Sequence, residues 1–404
     1  MISREAELVV NLVSAYVGGA DGASVAAAVQ PGIDWNEVER IATWHAVVPI
    51  LYHVLSARPD CAPAEKLARW HGVVRANLVH NAYLENAVVR ITKALAERGV
   101  AALTFKGPVL AAAAYGDLGL REFIDLDILV RPSDLGPCRE TLTALGYRSE
   151  YSGLGDEEKA FFQSYQETFN SDDWLVPLDV HSRLNPRYFA YAPEGEALFR
   201  RAVNFDLRSG GVKTLANTDL LLHLCAHGAK HGWDSLGWIL DIAAFVRRNP
   251  EIDWRSMLND ASAAGGRRLL LLGIYLIRDL MNAPVPEEVM ALATSDRVIA
   301  RIAAGVKRGL FSNIERRGGV FGEWSVPVRA IESARGRIRY VAGRALGPTM
   351  EDWKSLPLPR PLYPIYYAVH PLRMAFTQAP RMFRSLFWIS AHAAKSRDPR
   401  LAEA

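Results

Sequence analysis

Three aspartates are the residues of this sequence whose type and spacing most strongly indicate chemistry. Asp125 and Asp127 lie two residues apart in the apolar segment EFIDLDILV, and Asp179 lies further along in WLVPLDVHSRL. Side chains two residues apart on a β-strand point to the same face, so Asp125 and Asp127 are expected side by side. Two such carboxylates repel each other unless a cation lies between them. The pattern therefore predicts a divalent metal site in which the three carboxylates hold Mg²⁺ or Mn²⁺.

A phosphate-binding turn is predicted where Lys106-Gly107 separates the apolar strand VAALTF from the helix VLAAAAYG. A helix N-terminus offers free N–H groups and the positive end of the helix dipole, which suits a phosphate. Gly107 allows close approach of the backbone, and Lys106 could add a positive charge. The plain alternatives are a common turn and a strand with its polar face in water. Phe123 and Leu129 share the aspartates' strand face, so that face is not simply solvated.

Two further side chains near the aspartates each have two interpretations. Arg121 lies four residues before the first aspartate and could bind a phosphate through two parallel hydrogen bonds. Alternatively, it forms a surface salt bridge with Glu122 or Asp117. His181 shares a strand face with Asp179, so it could orient that carboxylate or accept a proton from a substrate hydroxyl. It could equally be a strand histidine satisfied by the backbone.

Three histidines, His223, His227 and His231, recur every four residues and form a stripe on one face of a predicted helix. At 1.5 Å rise per residue the outer two are about 12 Å apart, so one tetrahedral ion cannot bind all three. One interpretation is that this helix packs over the active cleft, with Lys230 and His231 near the bound ligand and His227 as an accessory group. The alternative is a purely structural stripe beside two tryptophans.

The hydrophobic pattern divides the chain into four regions. Residues 1–98 have the apolar spacing of helices, and residues 99–214 alternate strands with short helices. Helical spacing returns in residues 215–345. Residues 346–404 are predicted to be a proline-rich extended connection followed by a basic amphipathic helix. The predicted fold is therefore a mixed α/β (α+β) core with a small mixed sheet, flanked by N-terminal and C-terminal helical regions.

The composition is that of an ordinary globular protein with a basic end. Residues 296–404 contain 19 Lys and Arg against 8 Asp and Glu, while the whole chain has a net charge of only +3. This end is expected either to contact an anionic partner or membrane surface or to be a solvated face. The three cysteines have no metal-ligand spacing, and the N-terminus is acidic where a signal peptide would be basic. These features, with no apolar run of membrane-spanning length, predict a cytoplasmic protein.

The arrangement of Lys-Gly, Tyr-Gly, Arg-x3-DLDILV and then LDVH resembles the nucleotidyltransferase superfamily related to DNA polymerase beta. More narrowly, it resembles the bacterial branch usually called the uncharacterised nucleotidyltransferase family. The helix HLCAHGAKHGWDSLGWILDI is also similar to a segment of that branch, and the similarity spans roughly residues 40–250. One difference is that the superfamily usually has Gly-Ser at the phosphate-binding turn, where this chain has Lys106-Gly107.

The resemblance implies transfer of a nucleoside monophosphate from a nucleoside triphosphate to a hydroxyl, with release of pyrophosphate. By motif position, Asp125 and Asp127 correspond to the metal-binding pair and Asp179 to the third carboxylate. ATP is the expected nucleotide, and it is the ligand that Lys230 and His231 would lie near if the histidine helix packs over the cleft. The acceptor stays open among a protein, a peptide, an RNA end, a sugar and an antibiotic-like small molecule.

Two other functions are compatible with the same residues. One is a catalytically inactive module that binds a nucleotide or a partner and docks through its basic tail. The other is a kinase that uses the same metal site to transfer the γ-phosphoryl group. The absence of P-loop, G-x-G-x-x-G, H-E-x-x-H and G-x-S-x-G motifs weakens the P-loop kinase, dehydrogenase, zinc protease and serine hydrolase interpretations.

Overall fold

The structure is a computed structural model, and it describes residues 2–19, 22–162, 164–172, 176–312 and 320–377. Helices precede and follow a central block of strands, which confirms the predicted mixed α/β fold class. Within the described residues, no helix is both long enough and apolar enough to cross a membrane.

Five helices form the N-terminal part of the chain, and sequence signals explain where two of them begin. Ser3 accepts a hydrogen bond from the backbone of the first helix, and Asp34 does the same for the third. Such caps satisfy N–H groups that have no partner inside the helix. The helices are α1 (Arg4–Gly18), α2 (Gly22–Ala28), α3 (Trp35–Trp44), α4 (Val48–Ser56) and α5 (Ala64–Glu97).

Helix α5 is 34 residues long and joins two hydrophobic cores. Trp70, near its start, is buried in the core formed by the N-terminal and C-terminal helices. Leu84, Ile91 and Leu95, further along, belong to the core beneath the sheet. The helix therefore fixes the helical part of the molecule against the strands.

Seven strands form one mixed sheet in the order β3-β4-β5-β2-β1-β7-β6. Strands β2 and β5 are parallel, as are β1 and β7, and the other neighbours are antiparallel. The strands are β1 (Ala102–Thr104), β2 (Leu126–Val130), β3 (Tyr147–Ser149), β4 (Gln166–Ser171), β5 (Leu178–His181), β6 (Val203–Leu207) and β7 (Gly210–Thr214). Four helices lie between them in sequence: α6 (Gly107–Leu110), α7 (Leu135–Ala144), α8 (Asp156–Phe161) and α9 (Gly195–Arg201).

The register of the central strands brings the predicted ligands together. Asp127 on β2 is aligned with Asp179 on β5, and Thr168 on β4 lies opposite Asp179 from the other side. Neighbouring strands lie about 5 Å apart, so the alignment of these two residues places their carboxylates close together. Strand β2 begins at Leu126, so Asp125 lies in the extended segment just before the strand and not within it as predicted.

The Lys-Gly turn connects β1 to α6 as predicted. Gly107, the first residue of α6, has φ +50°, a left-handed conformation that residues with a side chain rarely adopt. After α6 the chain continues as a π turn, Ala111–Tyr115, and ends at Gly116 with φ +73°. Bulges of this kind are frequent at functional sites.

Helices return after β7 and enclose the apolar helix α13. It packs against α1, α10, α11, α14 and α15. Nine helices follow β7 within the described residues: α10 (Asn217–Lys230), α11 (Leu236–Arg248), α12 (Trp254–Ala263), α13 (Arg267–Met281), α14 (Glu287–Ser295), α15 (Arg297–Ser312), α16 (Val320–Ala330), α17 (Ala334–Leu346) and α18 (Met350–Ser355). A further helical stretch covers 366–377.

The prediction that residues 346–365 form an extended connection is wrong. They contain α18 and a 3-10 turn, Arg360–Ile365. Tyr363 and Tyr366 pack with Phe162 in a small hydrophobic core, and this burial outweighs the preference of the prolines for extended backbone. The predicted basic amphipathic helix starts at 366. The chain is helical over 366–377, and the rest of that prediction lies outside the described residues. The division of the chain into four regions stays a prediction.

Candidate active site

Two carboxylates and an imidazole converge on the same face of the sheet. One potential ligand atom from each of Asp127, Asp179 and His181 lies within 4.8 Å of the other two. Asp127 and His181 are buried, and Asp179 is half-buried. Carboxylate oxygens are the ligands that Mg²⁺ prefers, and Mn²⁺ also accepts an imidazole nitrogen. The residues present therefore fit a divalent metal ion. Asp127, Asp179 and His181 are together called the metal cluster.

Lys106 and His181 both contact Asp127. The Lys106 Nζ lies 3.4 Å and the His181 Nε2 lies 2.9 Å from Asp127 Oδ1. The second ring nitrogen of His181, Nδ1, is buried without a hydrogen-bond partner among the described residues. His181 therefore orients Asp127, and not Asp179 as one prediction had it. The cation of Lys106 lies directly beside the metal cluster.

Asp179 is fixed by two side chains of the neighbouring strand β4. Gln166 Nε2 donates to Oδ2 at 2.6 Å, and Thr168 Oγ1 donates to Oδ1 at 2.7 Å. Each carboxylate oxygen keeps a lone pair that these bonds do not use. The two donors therefore set the orientation of Asp179 and leave it able to bind a cation.

Asp125 is not part of the metal cluster, but its charge interacts with those of Asp127 and Asp179, and the electrostatics of the three favour binding of a cation. Burial raises the pKa of Asp125, and the nearby charge of Asp127 raises it further. Burial also raises the pKa of Asp179, against the lowering effect of its hydrogen bond from Thr168. Burial acts in the same direction on Asp127, but Lys106 and His181 outweigh it and keep that pKa below its usual value. Without further positive charge, the three carboxylates resist being ionised together.

Arg121 does not pair with Glu122 or Asp117, so that alternative is wrong. Its Nε and Nη2 donate to the two oxygens of Asp241 at 2.9 and 3.1 Å. Tyr115 also donates to Asp241, at 2.7 Å. The remaining nitrogen of Arg121, Nη1, is buried without a hydrogen-bond partner among the described residues. The predicted contact between Arg121 and a phosphate stays a prediction.

The histidine stripe runs along α10 and ends at His231, the residue just after the helix; His223 is buried, and His227 and His231 are half-buried. His223 is buried with neither ring nitrogen hydrogen-bonded within the described residues, and its ring meets that of Phe105 at 5.0 Å. Rings of His227 and His231 each lie 5.3 Å from Trp238. Burial lowers the pKa values of all three histidines, that of His231 to about 3, so the rings are neutral near pH 7. None of the three belongs to the metal cluster.

A cavity of about 180 Å³ at the end of α10 has cationic and aromatic walls. Lys230 donates to the Tyr165 hydroxyl at 3.2 Å, and the Tyr165 ring lies 6.2 Å from that of His181. Burial, followed by repulsion from Lys106, lowers the pKa of Lys230 to about 8. The cavity therefore adjoins the metal cluster. It is lined by Tyr165, Pro186, Tyr188, Phe189, Lys230, His231, Tyr340 and Arg344.

Residues 31–282 match the model of a protein family described as uncharacterised nucleotidyltransferase. The chain belongs to this family. The match covers more than half of the sequence and includes the Lys-Gly turn and all three aspartates. The protein is therefore a nucleotidyltransferase enzyme, as the sequence motifs indicated.

This nucleotidyltransferase was also compared with solved structures and with curated proteins. Among solved structures, it is similar to the solution structure of the antibiotic-resistance factor ANT(2'')-Ia, with 13% sequence identity and a TM-score of 0.31. That similarity covers 44% of this chain and 88% of the other. No curated protein matches the sequence.

Several residues of the nucleotidyltransferase site were missed in the sequence. Gln166 and Thr168 alternate in QETFN, and strand periodicity opposite LDVH could have identified them. Tyr165 and Arg344 come from distant parts of the chain and had no such signal. The structure brings Lys106 and His181 to the metal cluster, and it places Lys230 and His231 in the adjoining cavity.

Proposed function

We propose that this nucleotidyltransferase transfers a nucleoside monophosphate from a nucleoside triphosphate, with ATP as the expected nucleotide, to a hydroxyl of an acceptor. The acceptor oxygen forms a bond to the α-phosphorus, and the bond between that phosphorus and the oxygen bridging the α- and β-phosphates breaks. Pyrophosphate and the hydroxyl proton are the leaving groups. The observation that carries the proposal is the alignment of Asp127 and Asp179 on neighbouring parallel strands, with Lys106 beside them.

Asp125, Asp127 and Asp179 are the residues proposed to hold Mg²⁺ or Mn²⁺. A bound divalent ion would neutralise triphosphate charge and polarise the attacking hydroxyl. His181 keeps Asp127 in place from one side. Lys106 supplies a fixed positive charge for the phosphates, and Gly107 lets the backbone approach them closely.

The cavity beside the cluster is proposed to hold the nucleoside or the acceptor. Its lining has two cationic side chains, Lys230 and Arg344, and no carboxylate. Such walls suit a neutral or anionic group and disfavour a polycation. Tyr165, Tyr188 and Tyr340 offer aromatic faces on which a planar ring can stack. The three cysteines are free, in keeping with the proposed cytoplasmic location.

Separate labelling of the α- and γ-phosphates tests the reaction type. The full chain is incubated with Mg²⁺, a cell extract as the source of acceptors, and each of the four nucleoside triphosphates. The proposal expects label from the α-phosphate on an acceptor and release of unlabelled pyrophosphate. Label from the γ-phosphate would instead identify a kinase. If triphosphates neither bind nor transfer label, the chain is an inactive module.

Affinity for the triphosphate is expected to fall with rising pH because of Lys230. With a pKa of about 8, this side chain is a cation at pH 7 and mostly neutral at pH 9. Lys230 is close enough to Asp127 and Asp179 to interact with their charges, so its cationic form would attract a triphosphate bound at the metal cluster. KM for the triphosphate should therefore rise by up to about tenfold between pH 7 and pH 9. KM is measured from initial rates across that range.

The matched variants separate Lys230 from other titrating groups. Lys230→Met should have a raised KM at pH 7 and a flatter pH profile. Lys93→Met, at an exposed position of α5, should behave as the wild type. An unchanged slope of KM with pH in Lys230→Met would exclude Lys230 as a triphosphate ligand.

A further inference from the structure

A second cavity, of about 500 Å³, lies between α1, α4, the π turn and α11. Neither the residues of the metal cluster nor Lys106 and Lys230 line it. Tyr115, which does line it, is nine positions after Lys106, a length of about 13 Å at helical rise. Its volume falls within the range of about 300–1,000 Å³ that is typical of small-molecule sites. It is therefore a separate cavity with room for a ligand.

Three arginines line this cavity, and two of them are fixed by backbone carbonyls. The Nη1 of Arg58 donates to the carbonyl of Gly22 at 2.8 Å. The Nη1 of Arg247 donates to the carbonyl of Tyr16 at 2.6 Å. Positions of these two guanidinium groups are thus set by the fold. Arg58 also has a counter-ion in Asp60, at 2.9 Å.

The third arginine, Arg248, has no hydrogen-bond or ion-pair partner among the described residues. Its guanidinium packs on Gly116, where an added Cβ would lie 2.8 Å from Nη1. Asp117 is the one carboxylate among the cavity's lining residues, and it already accepts a hydrogen bond from the backbone of Gly119 at 2.8 Å. The lining therefore carries an excess of positive charge, which an anion would neutralise.

An aromatic wall stands beside these arginines. The ring of Tyr16 stacks on that of Tyr115 at 6.1 Å, and His53 meets it edge-on at 5.5 Å. Arg247 lies over the same Tyr16 ring at 5.7 Å. The remaining lining is largely apolar and includes Val25, Val54 and Leu120. The lining thus offers cationic groups for an anion together with aromatic and apolar groups for an organic body.

We propose that this cavity binds a small organic phosphate. Guanidinium groups match phosphate oxygens with paired hydrogen bonds, which a lysine cannot reproduce. Arg247 and Arg248 hold the phosphoryl group, and the aromatic and apolar residues of the lining contact the organic body. The site is independent of the proposed transfer reaction, because it shares no residue with the metal cluster.

Phenyl phosphate is the probe, because it joins a phosphoryl group to a small aromatic body. Its binding to the full chain is measured by isothermal titration calorimetry without divalent ions, beside inorganic phosphate and phenol. Phenyl phosphate should bind once per chain and more tightly than either. Arg248→Gln should weaken it by about tenfold or more, the scale of one hydrogen bond to a charged group. This variant should fold normally, because Arg248 is exposed.

Two control variants show where the probe binds. Arg301→Gln, at an exposed position of α15, and Lys106→Met, beside the metal cluster, should both bind phenyl phosphate as the wild type does. Inorganic phosphate binding as tightly as phenyl phosphate would mean that the site takes free phosphate. The proposal is overturned if phenyl phosphate does not bind at millimolar concentration. It is also overturned if Arg248→Gln binds it normally or if Lys106→Met loses it.

Discussion

Replacing Asp127 with asparagine is expected to lower turnover of the nucleotidyl transfer reaction by at least about a hundredfold. That is the lower end of the loss seen when one group that stabilises transition-state charge is removed. Asparagine has nearly the same shape as aspartate but lacks the charge that binds a cation. Asp127 is also the carboxylate to which Lys106 and His181 both point. Initial rates with saturating Mg²⁺ and labelled triphosphate measure the effect.

Asp172→Asn is the matched control for this loss. Asp172 carries the same chemical change but lies on the surface, where it pairs with Arg148 at 2.7 Å. Its rate should stay within twofold of the wild type, since a surface ion pair contributes little. Near-wild-type turnover in Asp127→Asn, with the fold intact by circular dichroism, would show that the reaction does not use this carboxylate.

Replacing Asp241 with asparagine is expected to lower the free energy of unfolding by about 3–5 kcal/mol. The side chain is buried and accepts from both Arg121 and Tyr115. Removing its charge leaves the guanidinium of Arg121 buried without a counter-ion, and such a charge is costly in a medium of low dielectric constant. Urea unfolding followed by tryptophan fluorescence measures the loss.

The surface pair of Arg148 and Asp172 is again the control, here for the loss in free energy of unfolding. Asp172→Asn should cost no more than about 1 kcal/mol, because both partners are exposed to water. Equal losses in the two variants would contradict the claim that the buried pair of Arg121 and Asp241 stabilises the fold more than a surface pair does.

The chemistry-bearing motifs could be predicted because their spacing is local. Asp125 and Asp127 share a short segment, and the period of two residues in a strand places them on one face. The Lys106-Gly107 turn is likewise readable, since glycine there permits the left-handed backbone that the structure contains. Resemblance to a known superfamily then connected these segments to Asp179, and the parallel pairing of β2 with β5 explains why Asp127 and Asp179 meet.

The partners of the charged residues could not be predicted because they come from distant parts of the chain. Arg121 pairs with Asp241, 120 residues away, whereas the predicted alternatives were a phosphate and a carboxylate nearby in sequence. His181 forms a hydrogen bond with Asp127 on the next strand because the parallel register places the two side chains on one face. Burial of Tyr363 and Tyr366 similarly decided the path of a proline-rich segment that its composition alone indicated to be extended.

Binding of Mn²⁺ tests most directly whether the aspartates form the metal site. Electron paramagnetic resonance can measure it on the full chain with a non-hydrolysable ATP analogue present. Wild type and Asp172→Asn should bind Mn²⁺ equally, and Asp127→Asn and Asp179→Asn should each bind it at least about tenfold more weakly, the scale of a lost metal-site group. Equal affinity in all four proteins would place the metal elsewhere and contradict the proposed site.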